Sequence, residues 1–216
     1  MNKNNNIRMM SLSCGVILAS SLMLGFTPQT KSKGTVQLPE SFYKIEEMES
    51  AKLYEWEEIL IERARYDVPK NVQKNGHQIE YEGFKSFEPT YQITYGEAGS
   101  LNRESITNEN GFQMINDRYL VAIGTKYDLT IGQYFDIVLE NGTVIPCIMG
   151  DTKADIDTDD SNMITMQTKC ATEFIVTINK LPNEVQVSGN VSSLCEDWNS
   201  PVKTIITYEN VHKVTE

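Results

Sequence analysis

The chain reads as a mainly β protein carried behind one long helix and an amino-terminal export segment. Three observations point there. Short apolar strands separated by turn signals recur between residues 78 and 210. Residues 40–66 contain neither Gly nor Pro, as an uninterrupted helix requires. Residues 9–26 form an apolar run broken only by small or hydroxyl residues, behind a basic, acid-free start.

The leader, residues 1–27, has the charged and apolar regions of a secretory segment. Its apolar run is also nearly long enough to span a bilayer. Cleavage between Ser20 and Thr27 and retention as an anchor both fit, and either puts the later residues outside the cytoplasm. Cys14 comes too early in the run for a lipoprotein motif. A polar linker occupies 28–39.

The helical segment is expected over 40–68. Pro39 suits a first turn, and Pro69 enforces the stop. Phe42, Ile45 and Met48 share one stripe, and Leu53, Trp56, Leu60 and Ala64 share another. The stripes slip by one residue between Met48 and Leu53, so no sustained coiled coil follows. At 1.5 Å per residue the helix is about 40 Å long. It serves either as a stalk or as a helix packed across the following domain.

That domain, 78–210, is expected to be β throughout. Strand candidates are 78–82, 87–94, 119–123, 173–178 and 202–208, with 96–110 as loop and 182–197 as turns. Its centre is 133–159. Phe135, Ile137 and Leu139 alternate on one strand. Asn141-Gly142 is read as a two-residue turn with positive backbone angles. The returning strand carries Pro146, which marks an edge or a bulge. After Gly150 come Asp151, Asp155, Asp157, Asp159 and Asp160. A hairpin that delivers carboxylates into a loop builds a site, although such a loop can also be no more than a solvated acidic turn.

Composition narrows the function. The net charge of −11 argues against a nucleic-acid partner, which needs clustered Lys and Arg. His77 and His212 are isolated and no CxxC occurs, which argues against a zinc site; no cofactor is expected. Asp155, Asp157 and Asp159 fit the first ligand positions of a calcium loop, but Asp160 stands where that loop needs Gly, and Met166 where it needs Glu. Beyond the leader lie Cys147, Cys170 and Cys195. The odd number leaves one thiol over, so a Cys170–Cys195 bridge with Cys147 as a small buried hydrophobe is expected. Tyr91, Tyr95, Tyr119, Tyr127 and Tyr134 are core or rim residues, or faces for sugar rings, and Trp198 is expected to be partly exposed.

From Phe87 to Tyr208 the sequence resembles a double-psi β-barrel of the "3D" type. The carrying residues are Tyr91-Gln92-Ile93-Thr94, Gly111-Phe112, Tyr119-Leu120-Val121-Ala122-Ile123-Gly124, Ile131-Gly132 and the hairpin from Phe135 to Met149. Gly150-Asp151, Lys153-Ala154-Asp155 and Glu173-Phe174-Ile175-Val176 complete the set. The hairpin followed by GDxKAD is similar to the version in Gram-positive cell-envelope proteins. The wider group includes membrane-bound lytic transglycosylase A, the rare lipoprotein A family and the expansins.

The resemblance implies a six-stranded barrel acting on peptidoglycan or a related glycan, with membrane contact only through the leader. It implies that Asp151 is the acid and base of a lytic cleavage, in which the sugar's own 6-hydroxyl closes a ring. Lys153, Asp155, Asp157, Asp159 and Thr94 are the expected supporting residues. The three aspartates would raise the Asp151 pKa by like charge. Two places depart from the family pattern. Thr152 and Lys153 stand where its best-known form has a glycine pair. Val176 and Thr177 stand where a second acid usually follows, and Glu173 is nearby in sequence without being equivalent. A non-catalytic glycan-binding or structural module on the same barrel is the alternative.

Overall fold

The computed structural model describes residues 55–215, with side chains over 60–209. The leader, the linker and the helix expected over 40–54 lie outside the described residues. The described residues fall almost wholly within one compact unit, Glu58–His212.

The described chain is mainly β. In order come β1 (Glu55–Asp67), β2 (Asn71–Lys74), β3 (His77–Glu80), β4 (Ser86–Pro89), α1 (Gly96–Glu104), β5 (Ile106–Thr107) and β6 (Gln113–Ile115). Then follow β7 (Arg118–Ile123), β8 (Tyr134–Leu139), β9 (Val144–Thr152), β10 (Glu173–Val176), α2 (Asn183–Ser188) and β11 (Val202–Thr215). One mixed sheet runs β1-β11-β8-β9-β7-β10-β4, with β6 joined to β7 and β5 to β6.

Three expectations are corrected here. First, residues 55–66 are strand, not helix. Leu60, Ala64 and Tyr66 are half-buried, and pairing with β11 supplies the backbone partners. A run without Gly or Pro does not distinguish strand from helix, and tertiary pairing decides it. Second, among the described residues no pairing joins β1 to β4, so the sheet is open and not a closed six-stranded barrel. Both edges are protected. β1 carries Glu62, Arg63, Arg65 and Asp67, and β4 ends at Pro89, which has no backbone donor to offer. Third, the expected loop at 96–110 contains α1 and β5.

The hairpin of β8 and β9 forms with Ile137 opposite Ile145 and Phe135 opposite Cys147. Its turn is one residue longer than expected. The Leu139 amide bonds the Thr143 carbonyl at 2.9 Å, enclosing Glu140, Asn141 and Gly142. Only Gly142 has positive φ, at 90°. Asn141 is held otherwise: its Oδ1 accepts from the Thr143 amide at 3.0 Å, and its Nδ2 donates to the Asp197 carbonyl at 2.8 Å. The two-residue turn with both angles positive lies at Asn75-Gly76, between β2 and β3. Pro146 faces Asp136, and the parallel ladder with β7 starts one residue later at Cys147, so the missing donor costs no ladder bond.

The sheet separates two apolar clusters. The larger contains Phe112, Val121, Ile123, Phe135, Ile137, Leu139, Ile145, Cys147, Met149, Phe174 and Trp198. Each fully buried aliphatic or aromatic side chain there contributes about 1.5–3 kcal/mol. Phe112, Tyr119, Phe174 and Trp198 meet with ring centroids 5.1–5.8 Å apart. Trp198 is therefore core, not rim. A single turn at Glu196–Trp198 swings the indole inward. The smaller cluster is Ile93, Leu120, Tyr134, Ile148 and Ile175, against which Ala98 and Leu101 of α1 pack.

A close approach at the end of β7 provides a test of the packing. A Cβ on Gly124 would lie 1.9 Å from the backbone oxygen of Asn162. Backbone cannot step aside as a side-chain tip can, so Gly124→Ala is expected to lower stability by about 2–4 kcal/mol. Urea unfolding measures this, and an unchanged midpoint would refute the packing of 162 on 124.

Candidate functional site

The site is built by a break in the alternation of β9. Ile145, Cys147 and Met149 face the large cluster, while Ile148 faces the small one. Val121 of β7 pairs with Met149, yet the next residue, Ala122, pairs with Asp151. Gly150 is the extra residue of a β-bulge, a device that re-aims side chains. Ala122 also faces Glu173 of β10, so Glu173, Ala122 and Asp151 lie in one row across three strands. Glu88 of β4 pairs with Ile175, two residues along the same face from Glu173. The bulge thus turns Asp151 away from the large core and onto the face that carries Glu173 and Glu88. Gly150 has to be small: a Cβ there would lie 2.3 Å from Ile175 Cδ1.

Lys153 sits among these carboxylates. Its side chain is 4% exposed, and its Nζ lies 2.9 Å from Glu173 Oε1. It also donates to Thr165 Oγ1. Glu173 Oε1 accepts a further bond from Thr168 Oγ1 at 3.0 Å. Among the described residues Glu88 and Asp151 take part in no ion pair, and no side-chain hydrogen bond reaches either carboxyl.

The electrostatics follow from this placement. Burial raises the Asp151 pKa; the Thr152 amide opposes the rise, and the nearby Glu173 charge adds to it. Burial also pushes Glu88 up, to about 7, with the charges of Asp151 and Glu173 adding and Lys153 opposing. Burial lowers the Lys153 pKa, against the pull of Glu173.

Of the residues expected from sequence, Asp151 and Lys153 come together here. The others do not join them. Asp155 is exposed and accepts from Thr125 Oγ1 at 2.6 Å. Asp157 is exposed on the same single turn. Asp159 is buried and closes a backbone knot. Its Oδ1 accepts from the amides of Met163 and Ile164 at 2.8 and 2.6 Å, and its Oδ2 from the Ser161 amide at 3.0 Å and the Ser161 hydroxyl. The like charge on Asp151 therefore comes from Glu173, not from these three aspartates. Thr94 is exposed and lines a different, open groove of about 1020 Å³ with Tyr95, Ser100, Arg103 and Thr130. Among the described residues no group of three His, Cys, Asp or Glu is arranged to hold a metal ion.

Sequence reasoning passed over Glu88 and set Glu173 aside. Each left a signal. Glu173 opens an otherwise apolar strand, EFIV, and Glu88 follows Phe87 on an alternating one.

The three cysteines beyond the leader are all free thiols, so the expected Cys170–Cys195 bridge is not formed. The Cys170 thiol points to the Thr168 carbonyl at 3.1 Å, while Cys195 packs on the large cluster. Cys147 is fully buried, as a small core residue.

Asp159 gives a pH-dependent expectation. Burial alone would raise its pKa, but the Ser161 hydroxyl and the Ile164, Met163 and Ser161 amides outweigh that and hold it below the usual carboxylate range. A depressed folded-state pKa contributes stability that is present above about pH 4 and lost as pH falls through the folded value. Asp159→Ala is thus expected to cost about 2–4 kcal/mol at pH 7. The gap to wild type should narrow below pH 4. A pH-independent gap in thermal unfolding would contradict the role of the charge.

No protein-family model, curated protein or solved structure matches this chain.

Proposed function

We propose that this protein is an exported cell-envelope protein of the Gram-positive type that cleaves peptidoglycan glycan strands by a lytic transglycosylase reaction. Its fold is read as an open relative of the double-psi barrel. The observation that carries the proposal is Asp151. It follows the second hairpin strand directly, is turned by the Gly150 bulge onto a face with two other carboxylates, and is left unpaired while Lys153 is taken by Glu173. A half-buried carboxyl with a raised pKa is suited to deliver a proton to a glycosidic oxygen. In this reaction the sugar's 6-hydroxyl oxygen attacks the anomeric carbon, so no water is consumed. Buried Lys153 fixes Glu173 and keeps that charge near Asp151 without quenching Asp151 itself.

A second reading rests on the groove of Thr94 and Tyr95. Tyr91 and Tyr95 are 65% and 89% exposed, and exposed aromatic faces stack on sugar rings. On this reading the protein binds glycan without cutting it. The two readings separate by incubating the full chain with purified sacculi and measuring release of anhydro-muropeptides. Release supports the enzyme. Retention on sacculi without release supports the module.

A further inference from the structure

We infer that Asn75-Gly76 is a site of spontaneous deamidation, and that its conversion loosens the hold of the β2–β3 hairpin on the acidic segment 155–160.

The reaction needs an Asn side chain, a following backbone amide able to reach it, and water. The Gly76 nitrogen attacks the side-chain carbonyl carbon of Asn75. The bond from that carbon to the amide nitrogen breaks, and ammonia leaves with the proton that Gly76 gives up. Water then opens the five-membered imide at either carbonyl. One opening leaves an ordinary aspartyl linkage. The other routes the backbone through the side chain and adds a carbon to it. Glycine after the Asn favours the attack, because no Cβ shields its nitrogen.

The chain contains three Asn-Gly pairs, Asn75-Gly76, Asn110-Gly111 and Asn141-Gly142. The fold sets them apart. The Asn141 side chain is held by the Thr143 amide and the Asp197 carbonyl, and the Gly142 amide donates to the Leu139 carbonyl at 3.0 Å. Gly111 is buried; its amide donates to the Asn108 carbonyl at 3.1 Å, and its carbonyl accepts from the Thr177 amide at 2.8 Å. Asn75 and Gly76 are both exposed. Among the described residues no hydrogen bond engages the Asn75 side chain or the Gly76 amide. They close a sheet of only two four-residue strands, a unit that is marginally stable by itself, so its tip opens readily. At this pair alone, neither reacting group has to leave a hydrogen bond first.

The hairpin is fastened to the segment after β9. The Asp160 amide donates to the Gln73 carbonyl at 2.8 Å. Lys74 Nζ donates to the Asp155 carbonyl at 3.2 Å and to the Thr158 carbonyl. Both fastenings lie beside the turn, with Lys74 paired to His77 across it. A two-residue turn of this type has no room for an extra backbone carbon. The new carboxylate also competes for the Lys74 ammonium.

The test ages the purified full chain at mildly alkaline pH, which ionises the attacking amide. The three sites fall on separate tryptic peptides, 75–85, 104–118 and 127–153, and mass spectrometry follows each conversion. In the folded protein, conversion at Asn75 is expected to be at least about tenfold faster than at Asn110 or Asn141, the factor that breaking one or two hydrogen bonds imposes. In urea the three rates should converge, since only the fold distinguishes the pairs. Equal rates in the folded protein, or faster conversion at Asn110 or Asn141, overturn the assignment. Loosening is read from hydrogen exchange of the Asp160 amide, expected to be about two- to tenfold faster in aged than in fresh protein. Asn75→Gly suits both positive angles and has no side-chain amide to lose, so its Asp160 exchange should not change with age. Equal Asp160 exchange in fresh and aged wild type overturns the coupling, and so does the same acceleration in aged Asn75→Gly.

Discussion

Asp151→Asn is expected to abolish glycan release while leaving the fold intact. The amide keeps the shape of the carboxyl but cannot cycle a proton, and proton transfer of this kind contributes roughly 100- to 10,000-fold in rate. The fold should survive because Asp151 is half-buried and neither an ion pair nor a side-chain hydrogen bond depends on it among the described residues. Asp157→Asn is the control. Asp157 is exposed on a turn that does not reach the carboxylate row, so release should remain within about twofold of wild type, as for a surface change with no role in proton transfer. Anhydro-muropeptides are quantified for all three proteins, with melting curves beside them. Equal loss in both variants would point to a general effect of charge on sacculus binding. A lowered melting temperature in Asp151→Asn alone would make Asp151 a structural residue.

Lys153→Met is expected to be among the most destabilising single changes in the protein. The Lys153 and Glu173 side chains are 4% and 15% exposed and 2.9 Å apart. Removing the cation strands a buried carboxylate beside Glu88 and Asp151. Breaking such a pair from one side costs about 3–5 kcal/mol. Adding Glu173→Gln should recover much of the loss, because the stranded charge is gone. Chemical denaturation of the two single variants and the double variant measures this as a cycle. Additive losses would show that the two side chains do not act as a pair.

Much of the β framework was legible in the chain. The alternation of FDIVL, and the short apolar runs YLVAI and EFIV bounded by turn signals, mark β8, β7 and β10. The first described strand was not legible. EWEEILIERARYD lacks breakers and contains good helix formers, and only its partner β11 makes it strand. The position of the turn at Asn141-Gly142 is legible in the sequence but its type is not, since residues 197–200 fix Asn141 from far along the chain. In the site, Asp151 and Lys153 were readable as a local motif. Glu88 is 63 positions upstream of Asp151, and a sheet register that no local pattern encodes brings the two onto one face. Conversely, Asp155, Asp157 and Asp159 looked alike as a string, yet their environments differ from exposed turn to buried amide acceptor.

The bulge at Gly150 makes β9 a strand read in two phases. Up to Met149 the odd-numbered residues belong to the large core. From Asp151 onward the odd-numbered residues, Asp151 and Lys153, belong to the opposite face. Read in a single phase, the strand would drive a carboxylate and an ammonium into the apolar interior beside Cys147 and Met149, a cost no domain of this size could meet. The one-residue offset lets a single continuous strand serve as core at one end and as reactive surface at the other. The packing of 145–149 is thereby kept clear of the charges at 151–153, which are held on the other face by their own partner, Glu173, so long as the hinge between the phases remains a glycine.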